Sequence, residues 1–270
     1  MIKLLPLLLE STSGRVTPLK GSLPDFLRKN CAVALDKARR NHMLFRGDSF
    51  PPEPVVIDPT ASRRRSVSFS NSYMMYMETS PYWKKFPSRS YSLICGKEHT
   101  AEQFGGDEIR SGTLFRVFPT GNPSFAVCEY DDFVDGETDM PVSGNYNSTL
   151  LEFSDRLSII FGNDIDDPQA FKELLFKLID NSRRGEGWAI HNFIRAMVAE
   201  LKKAPTKRDA LKKFYSWMTP ETTKTKLMKY SDMGYEFGEC WTEGKCLLIP
   251  NEICQITDWN KIVISKPSTG

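Results

Sequence analysis

The chain has 270 residues, 40% of them hydrophobic and 26% charged, with a formal net charge of +2. That length can bury a sizeable core without disulfide staples, and the composition excludes an intrinsically disordered chain. The charge runs +5 over residues 1–40, −4 over 41–150, +4 over 151–230 and −3 over 231–270. No segment is a basic arm that would neutralise many phosphates, so charge alone does not point to nucleic acid.

The chain opens on Met1–Leu9 (MIKLLPLLL), which is too short to span a bilayer and is interrupted by Pro6. It reads as an N-terminal strand or a docked extended arm. Ser22-Leu23-Pro24 starts a helix, with Pro just inside the first turn. Phe26, Leu27, Cys31, Ala34, Leu35 and Ala38 give that helix an apolar face, and it should end near Asn41. His42–Phe45 then reads as a strand delivering Arg46-Gly47 at its end. Residues 48–66 are rich in Pro and charge and are expected to be an irregular loop, followed by a short helix or turn over Asn71–Glu78.

Ser90–Cys95, Thr113–Phe118 and Ser124–Cys128 are short runs rich in β-branched and aromatic residues, bounded by Gly, Pro and Asn, and read as strands. Between the first two, His99–Phe104 has helical character and meets a C-cap at Gly105-Gly106.

Residues 150–230 change character. Asp167-Pro168 forms a helix start, and Phe171, Leu174, Leu175, Leu178 and Ile179 follow at helical spacing. Ile190, Phe193, Ile194, Met197, Val198 and Leu201 repeat the pattern. Leu211, Phe214, Tyr215 and Met218 make a third helix, and Thr219-Pro220 starts a fourth. The Phe171 and Ile190 stripes are expected to pack this block onto the β core. Glu239–Thr242, Cys246–Pro250 and Ile253–Thr257 return to strand patterns, with Lys261–Ser265 as a further candidate. The expected architecture is α+β with boundaries at 1–149, 150–230 and 231–270, the middle segment being a helical insertion.

Six cysteines occur, none in a C-x-x-C pair, and there are three His, so no metal site is expected. Cys95, Cys128, Cys246 and Cys254 lie in or beside apolar runs, as reduced core thiols of a cytoplasmic protein do.

Three places could carry chemistry. Arg46 before Gly47 can aim a guanidinium at a ligand that approaches the backbone closely. Ser90 and Ser92 share one face of an expected strand, where hydroxyls can position a ribose or a carboxylate. Glu239, where a polar loop becomes a strand, can stabilise positive charge in a sugar transition state.

The order of these elements resembles the ADP-ribosyltransferases of the Arg-Ser-Glu, cholera-toxin-like class. Those residues are Phe45-Arg46-Gly47 after a helix, then Ser90-Tyr91-Ser92 followed by Ala101, Phe104 and Gly105. Gly112–Val117 comes next, and Glu239-Cys240-Trp241 with Gly244 and Leu247–Pro250 closes the set. The resemblance covers roughly residues 25–128 and 231–260. It implies a split pair of antiparallel sheets with NAD, as substrate, in the cleft. Arg46, with Gly47, would meet NAD phosphate or ribose, and Ser90 would hold the nicotinamide-side ribose and Glu239. Ser92 would support the strand, and Glu239 would stabilise the ribosyl cation as nicotinamide leaves. The position two before Glu239 is Phe237, with Glu236 one place out of register, so protein arginine is not implied as acceptor.

The chain also looks similar to proteins of tailed bacteriophages, which would place it in a host cytoplasm. The expected function is ADP-ribosyl transfer to a macromolecular acceptor, protein or nucleic acid, or NAD glycohydrolysis, with no membrane partner. Two other readings stand beside it. One is a catalytically inactive binding or structural protein on the same scaffold. The other is a nucleic-acid-binding protein, using Arg63-Arg64-Arg65 with Phe69, Tyr73 and Tyr76.

Overall fold

The structure is a computed structural model that describes residues 15–48, 50–64, 71–103, 113–139, 148–162, 165–184 and 192–262. The expectations for Met1–Leu9, Arg65 and Phe69, Phe104-Gly105-Gly106, Gly112, Ile190, the side chains of Phe193 and Ile194, and residues 263–265 lie outside the described residues.

In chain order the elements are β1 (Val16–Pro18), α1 (Leu23–Asn30), α2 (Ala32–Arg39), β2 (Leu44–Asp48), β3 (Val55–Ile57), α3 (Ser72–Thr79), β4 (Leu93–Cys95) and α4 (Glu98–Gln103). They continue with β5 (Thr113–Pro119), β6 (Ser124–Cys128), β7 (Glu137–Thr138), β8 (Ser148–Thr149), α5 (Leu150–Phe161), α6 (Pro168–Arg184), α7 (Asn192–Lys202) and α8 (Lys207–Tyr215). β9 (Thr225–Lys229), β10 (Cys240–Thr242), β11 (Cys246–Pro250) and α9 (Asn251–Gln255) complete the chain. The protein is therefore mixed α+β with antiparallel sheets.

The chain divides into two units. The first takes the described parts of Met1–Arg63, Tyr91–Asp131 and Leu227–Gly270. Its larger sheet has the order β1-β3-β11-β5-β2. β11 is buried at all five residues and pairs antiparallel with both β3 and β5, and Arg46 sits opposite Phe115 in the β2–β5 register. The smaller sheet has the order β4-β10-β6-β9, with β10 antiparallel to β4 and to β6. One bridge, Phe45 to Gly96, ties the end of β4 to β2. The apolar faces of these strands and of α1 and α2 form one core that includes Leu27, Leu35, Phe115, Phe118, Phe125 and Leu248.

The second unit is Arg64–Ser90 with the described parts of Asp132–Lys226. It holds α5 to α8, while Thr225–Lys229, inside the expected helical span 150–230, is the strand β9, and it also holds α3, which comes from much earlier in the chain. α3 is buried at Ser72 through Met77, so it is apolar on every side and sits inside its unit. The Tyr76 ring packs edge-on to Phe153 and Tyr215, and its hydroxyl donates to the Phe214 carbonyl at 2.7 Å. The Phe171 stripe is buried within this unit, where Phe171 meets Phe161 of α5 at 4.5 Å between ring centres. Local rules set the helix starts. Thr149 and Glu152 form a reciprocal capping box at α5, Asp167 accepts from the Gln169 and Ala170 amides at α6, and Thr206 accepts from Asp209 at α8.

Several expectations change. The single helix over 22–41 is two helices broken at Cys31, just after Asn30 bonds its side chain back to the Phe26 carbonyl. The loop 48–66 contains β3, a Val-Val-Ile run that fills the sheet between β1 and β11. No helix starts at Thr219-Pro220. The Thr219, Thr222 and Thr223 hydroxyls bond the local backbone instead, and the turn ends at Lys224 with φ 49°. Ile253–Thr257 is not a strand, because Asn251 and Cys254 are the buried pair, three residues apart, while Ile256 is 87% exposed. That spacing buries one face of a short helix.

Candidate functional site

Glu239 lies one residue before β10 and is 1% exposed. Its backbone is locked to the end of β6: its amide donates to the Tyr130 carbonyl at 2.8 Å, and its carbonyl accepts from the Cys128 amide at 2.8 Å. Gly238 adds a third bond, from its amide to the Cys128 carbonyl at 2.9 Å. A Cβ on Gly238 would lie 1.7 Å from the Tyr130 carbonyl oxygen. This close approach of two backbones admits only glycine, and it fixes where Glu239 stands. Phe237 is buried and Glu236 exposed, so the acid nearest Glu239 on its N-terminal side faces solvent.

Arg46 does not end its strand. It is the third residue of β2, which runs on through Gly47, opposite Leu114, to Asp48. Its guanidinium bonds Asp48 at 2.8 Å and donates through Nη1 to the Ile94 carbonyl at 2.9 Å. Arg15, which the sequence did not single out, donates through Nη2 to the Ser92 carbonyl at 2.8 Å. Two guanidiniums thus cap the carbonyls of Ser92, just before β4, and of Ile94 within it, and the Phe45–Gly96 bridge follows on at the next alternate residue. β4 pairs through its own residues with β10, the strand that Glu239 opens. Burial first, and then the neighbouring Arg46, push Arg15 down to about 10, so it stays charged at neutral pH.

Ser90 and Ser92 do not share a strand face. Ser90 lies in a 3₁₀ turn, Arg89–Tyr91, and Ser92 lies just before β4. Both are fully buried. The unit division falls directly after Ser90, so Ser90 belongs to the second unit, with its hydroxyl 3.9 Å from Met74 Sδ. Arg46, Gly47, Ser92 and Glu239 belong to the first unit.

A small surface pocket of the first unit is lined by Lys37, His42, Tyr230, Met233, Tyr235 and Phe237 and includes none of these residues. All six cysteines are buried free thiols. Burial pushes Cys31 and Cys254 up to about 12, and Cys240 and Cys246 are also raised by burial, so these thiols are poor nucleophiles. Among the described residues, no group of three or more His, Cys, Asp or Glu side chains could hold a metal ion, and no helix is long and apolar enough to cross a membrane.

Sequence reasoning gave Arg15 no place, and it gave Gly238, directly before Glu239, no role of its own. Gly238 had a readable signal, a glycine directly before the candidate acid, whereas Arg15 meets Ser92 only through the fold. Comparison with known protein families, curated proteins and solved structures finds no match to this chain.

Proposed function

We propose that the protein is an NAD-dependent ADP-ribosyltransferase acting in the cytoplasm on a macromolecular acceptor. One observation carries the reading. Arg46 is hydrogen-bonded to β4, and β4 is the direct sheet partner of the strand that Glu239 opens. Residues far apart in sequence are thereby tied to the two edges of one short strand.

In the proposed reaction the bond between the ribose C1′ and the nicotinamide nitrogen breaks. Its electron pair leaves with nicotinamide, whose ring charge is neutralised. The ribose takes on positive charge, which an ionised Glu239 stabilises. An acceptor nucleophile then bonds C1′ and releases its proton to solvent; water in that role gives NAD hydrolysis. Arg46 and Arg15 supply the positive charge that a diphosphate requires.

The inactive-scaffold reading is favoured by a different observation: Arg46 already has both a carboxylate and a carbonyl as partners.

The experiment is nicotinamide release from labelled NAD, with and without cell lysate as a source of acceptors. Glu239→Gln is expected to lower turnover by about 10²–10³-fold while changing NAD affinity much less. Arg46→Ala is expected to weaken NAD binding instead. A wild-type protein that neither binds NAD nor releases nicotinamide replaces this proposal with the inactive-scaffold reading.

A further inference from the structure

The second unit carries a basic surface that the NAD reading does not use. From Lys202 to Lys213 the chain has six cations, Lys202, Lys203, Lys207, Arg208, Lys212 and Lys213, against one acid, Asp209. All six cations are exposed. The local fold explains why. α7 ends at Lys202, Thr206 caps α8, and α8 buries Ala210, Phe214 and Tyr215, which leaves Arg208 and Lys212 one turn apart on its outer side.

Part of this charge is already neutralised. Lys203 pairs with Glu200 and Lys207 with Asp180 of α6. Asp209 accepts from the Thr206 hydroxyl at 2.6 Å and faces the cap. Among the described residues, Lys202, Arg208, Lys212 and Lys213 have no carboxylate in ion-pair range. Asp180 also locates an aromatic ring. One helical turn before it on α6, the helix that Lys207 of α8 pairs with, stands Phe176, 48% exposed.

Unpaired cations on α8 and the end of α7, with an exposed ring on α6, which is ion-paired to α8, fit a single-stranded nucleic acid, whose phosphates meet the charges while a base stacks on the aromatic. A lipid surface fits less well. The apolar stripes of α6 and α8 (Phe171, Leu175, Leu178 and Phe214 among them) are buried, which leaves no continuous apolar face to insert. We propose that the end of α7, α8 and the Phe176 side of α6 bind single-stranded nucleic acid. Lys202, Arg208, Lys212 and Lys213 contact phosphates, and Phe176 stacks on a base.

The test uses the whole chain, without NAD, and fluorescence anisotropy on a labelled oligo(dT) of about 20 nucleotides. Binding is expected at low salt, with log affinity falling against log salt at a slope of about −3, for four phosphate contacts. Arg208→Glu with Lys212→Glu and Lys213→Glu should lower affinity at least about tenfold while leaving the circular dichroism unchanged. If that variant misfolds, the triple Gln variant serves in its place. Phe176→Ala should weaken oligo(dT) binding about tenfold but duplex binding little. The proposal is overturned if the wild type fails to bind oligo(dT) at low salt or if the charge variants bind as well as wild type. It is also overturned if polyglutamate or phosphatidylserine vesicles are held more tightly than oligo(dT). No step depends on NAD, so failure here and failure of the transferase reading are separately visible.

Discussion

Gly238→Ala tests the backbone contact that positions Glu239. The new Cβ would lie 1.7 Å from Tyr130 O, 2.0 Å from Tyr130 C and 2.5 Å from Asp131 N. All three are backbone atoms, so no side chain can swing aside. Reaching even 3.0 Å from the oxygen requires the two segments to part by more than 1 Å. That movement strains or breaks the three hydrogen bonds joining Gly238 and Glu239 to Cys128 and Tyr130. At about 0.5–1.5 kcal/mol net for each of the three bonds, plus about 1–3 kcal/mol for the steric strain, the loss is about 2.5–7.5 kcal/mol. For a chain of this size that lowers the thermal midpoint by roughly 5–30 °C. If Glu239 acts on NAD, a displacement of about 1 Å should also cost about 10²-fold in turnover, assayed well below the new midpoint. Gly234→Ala is the internal control, because nothing lies within 4 Å of a Cβ there. A Gly238→Ala protein that melts within a degree or two of wild type, and of the control, would show that the close approach does not exist.

Asp48→Asn removes the carboxylate that holds Arg46 and should tighten NAD binding if Arg46 meets the diphosphate. In a titration followed by calorimetry, an unchanged or weaker affinity would count against that role. The Asp58 carboxyl is held below its ordinary value by hydrogen bonds first from Lys245 and then from Thr60. A depressed carboxyl contributes stability that is complete above the ordinary value, about pH 4, and is lost as pH falls through the folded value. Lys245→Gln should therefore flatten the fall in urea midpoint below about pH 4, and identical acid slopes in the two proteins would refute the assignment.

Patterns whose physics is local were readable from the sequence. Thr113–Phe118 and Ser124–Cys128 alternate or run apolar between turn residues and are strands. Asp167-Pro168 caps its helix with its own side chain. The misreadings arose where tertiary partners outweighed local pattern. β3 lies in a Pro-rich, charged stretch and is a strand because β1 and β11 flank it. α9 looked β-like through Ile253 and Ile256, yet burial selects Asn251 and Cys254. α3 could be read as a short helix, but not that it would sit inside a unit built mainly from residues after 132. The basic run at 202–213 is hidden in the net charge of residues 151–230, because the acids at 152–186 offset it.

The candidate site shows the same divide. The sequence could single out Arg46, Ser92 and Glu239 as candidates, but not what each touches. Arg46 looked like a strand-end cation free to meet a ligand, whereas its strand continues for two residues and Asp48 returns to its guanidinium. Any anion at Arg46 must therefore compete with Asp48, or share the guanidinium with it, without releasing Ile94. The Ile94 bond matters beyond Arg46 itself. β4 is only three residues long, the carbonyls of Ile94 within it and of Ser92 just before it are closed by Arg46 and Arg15, and its other edge supports Cys240–Thr242. A strand that short gains little from its own ladder, so the two arginines contribute a substantial part of what holds it. A ligand that pulled Arg46 off Ile94 would loosen β4 and, through β10, the start of the strand where Glu239 stands. A ligand that displaced only Asp48 would leave Glu239 in place. The physical requirement on the transferase reading is therefore specific: NAD must exchange with the carboxylate and not with the carbonyl.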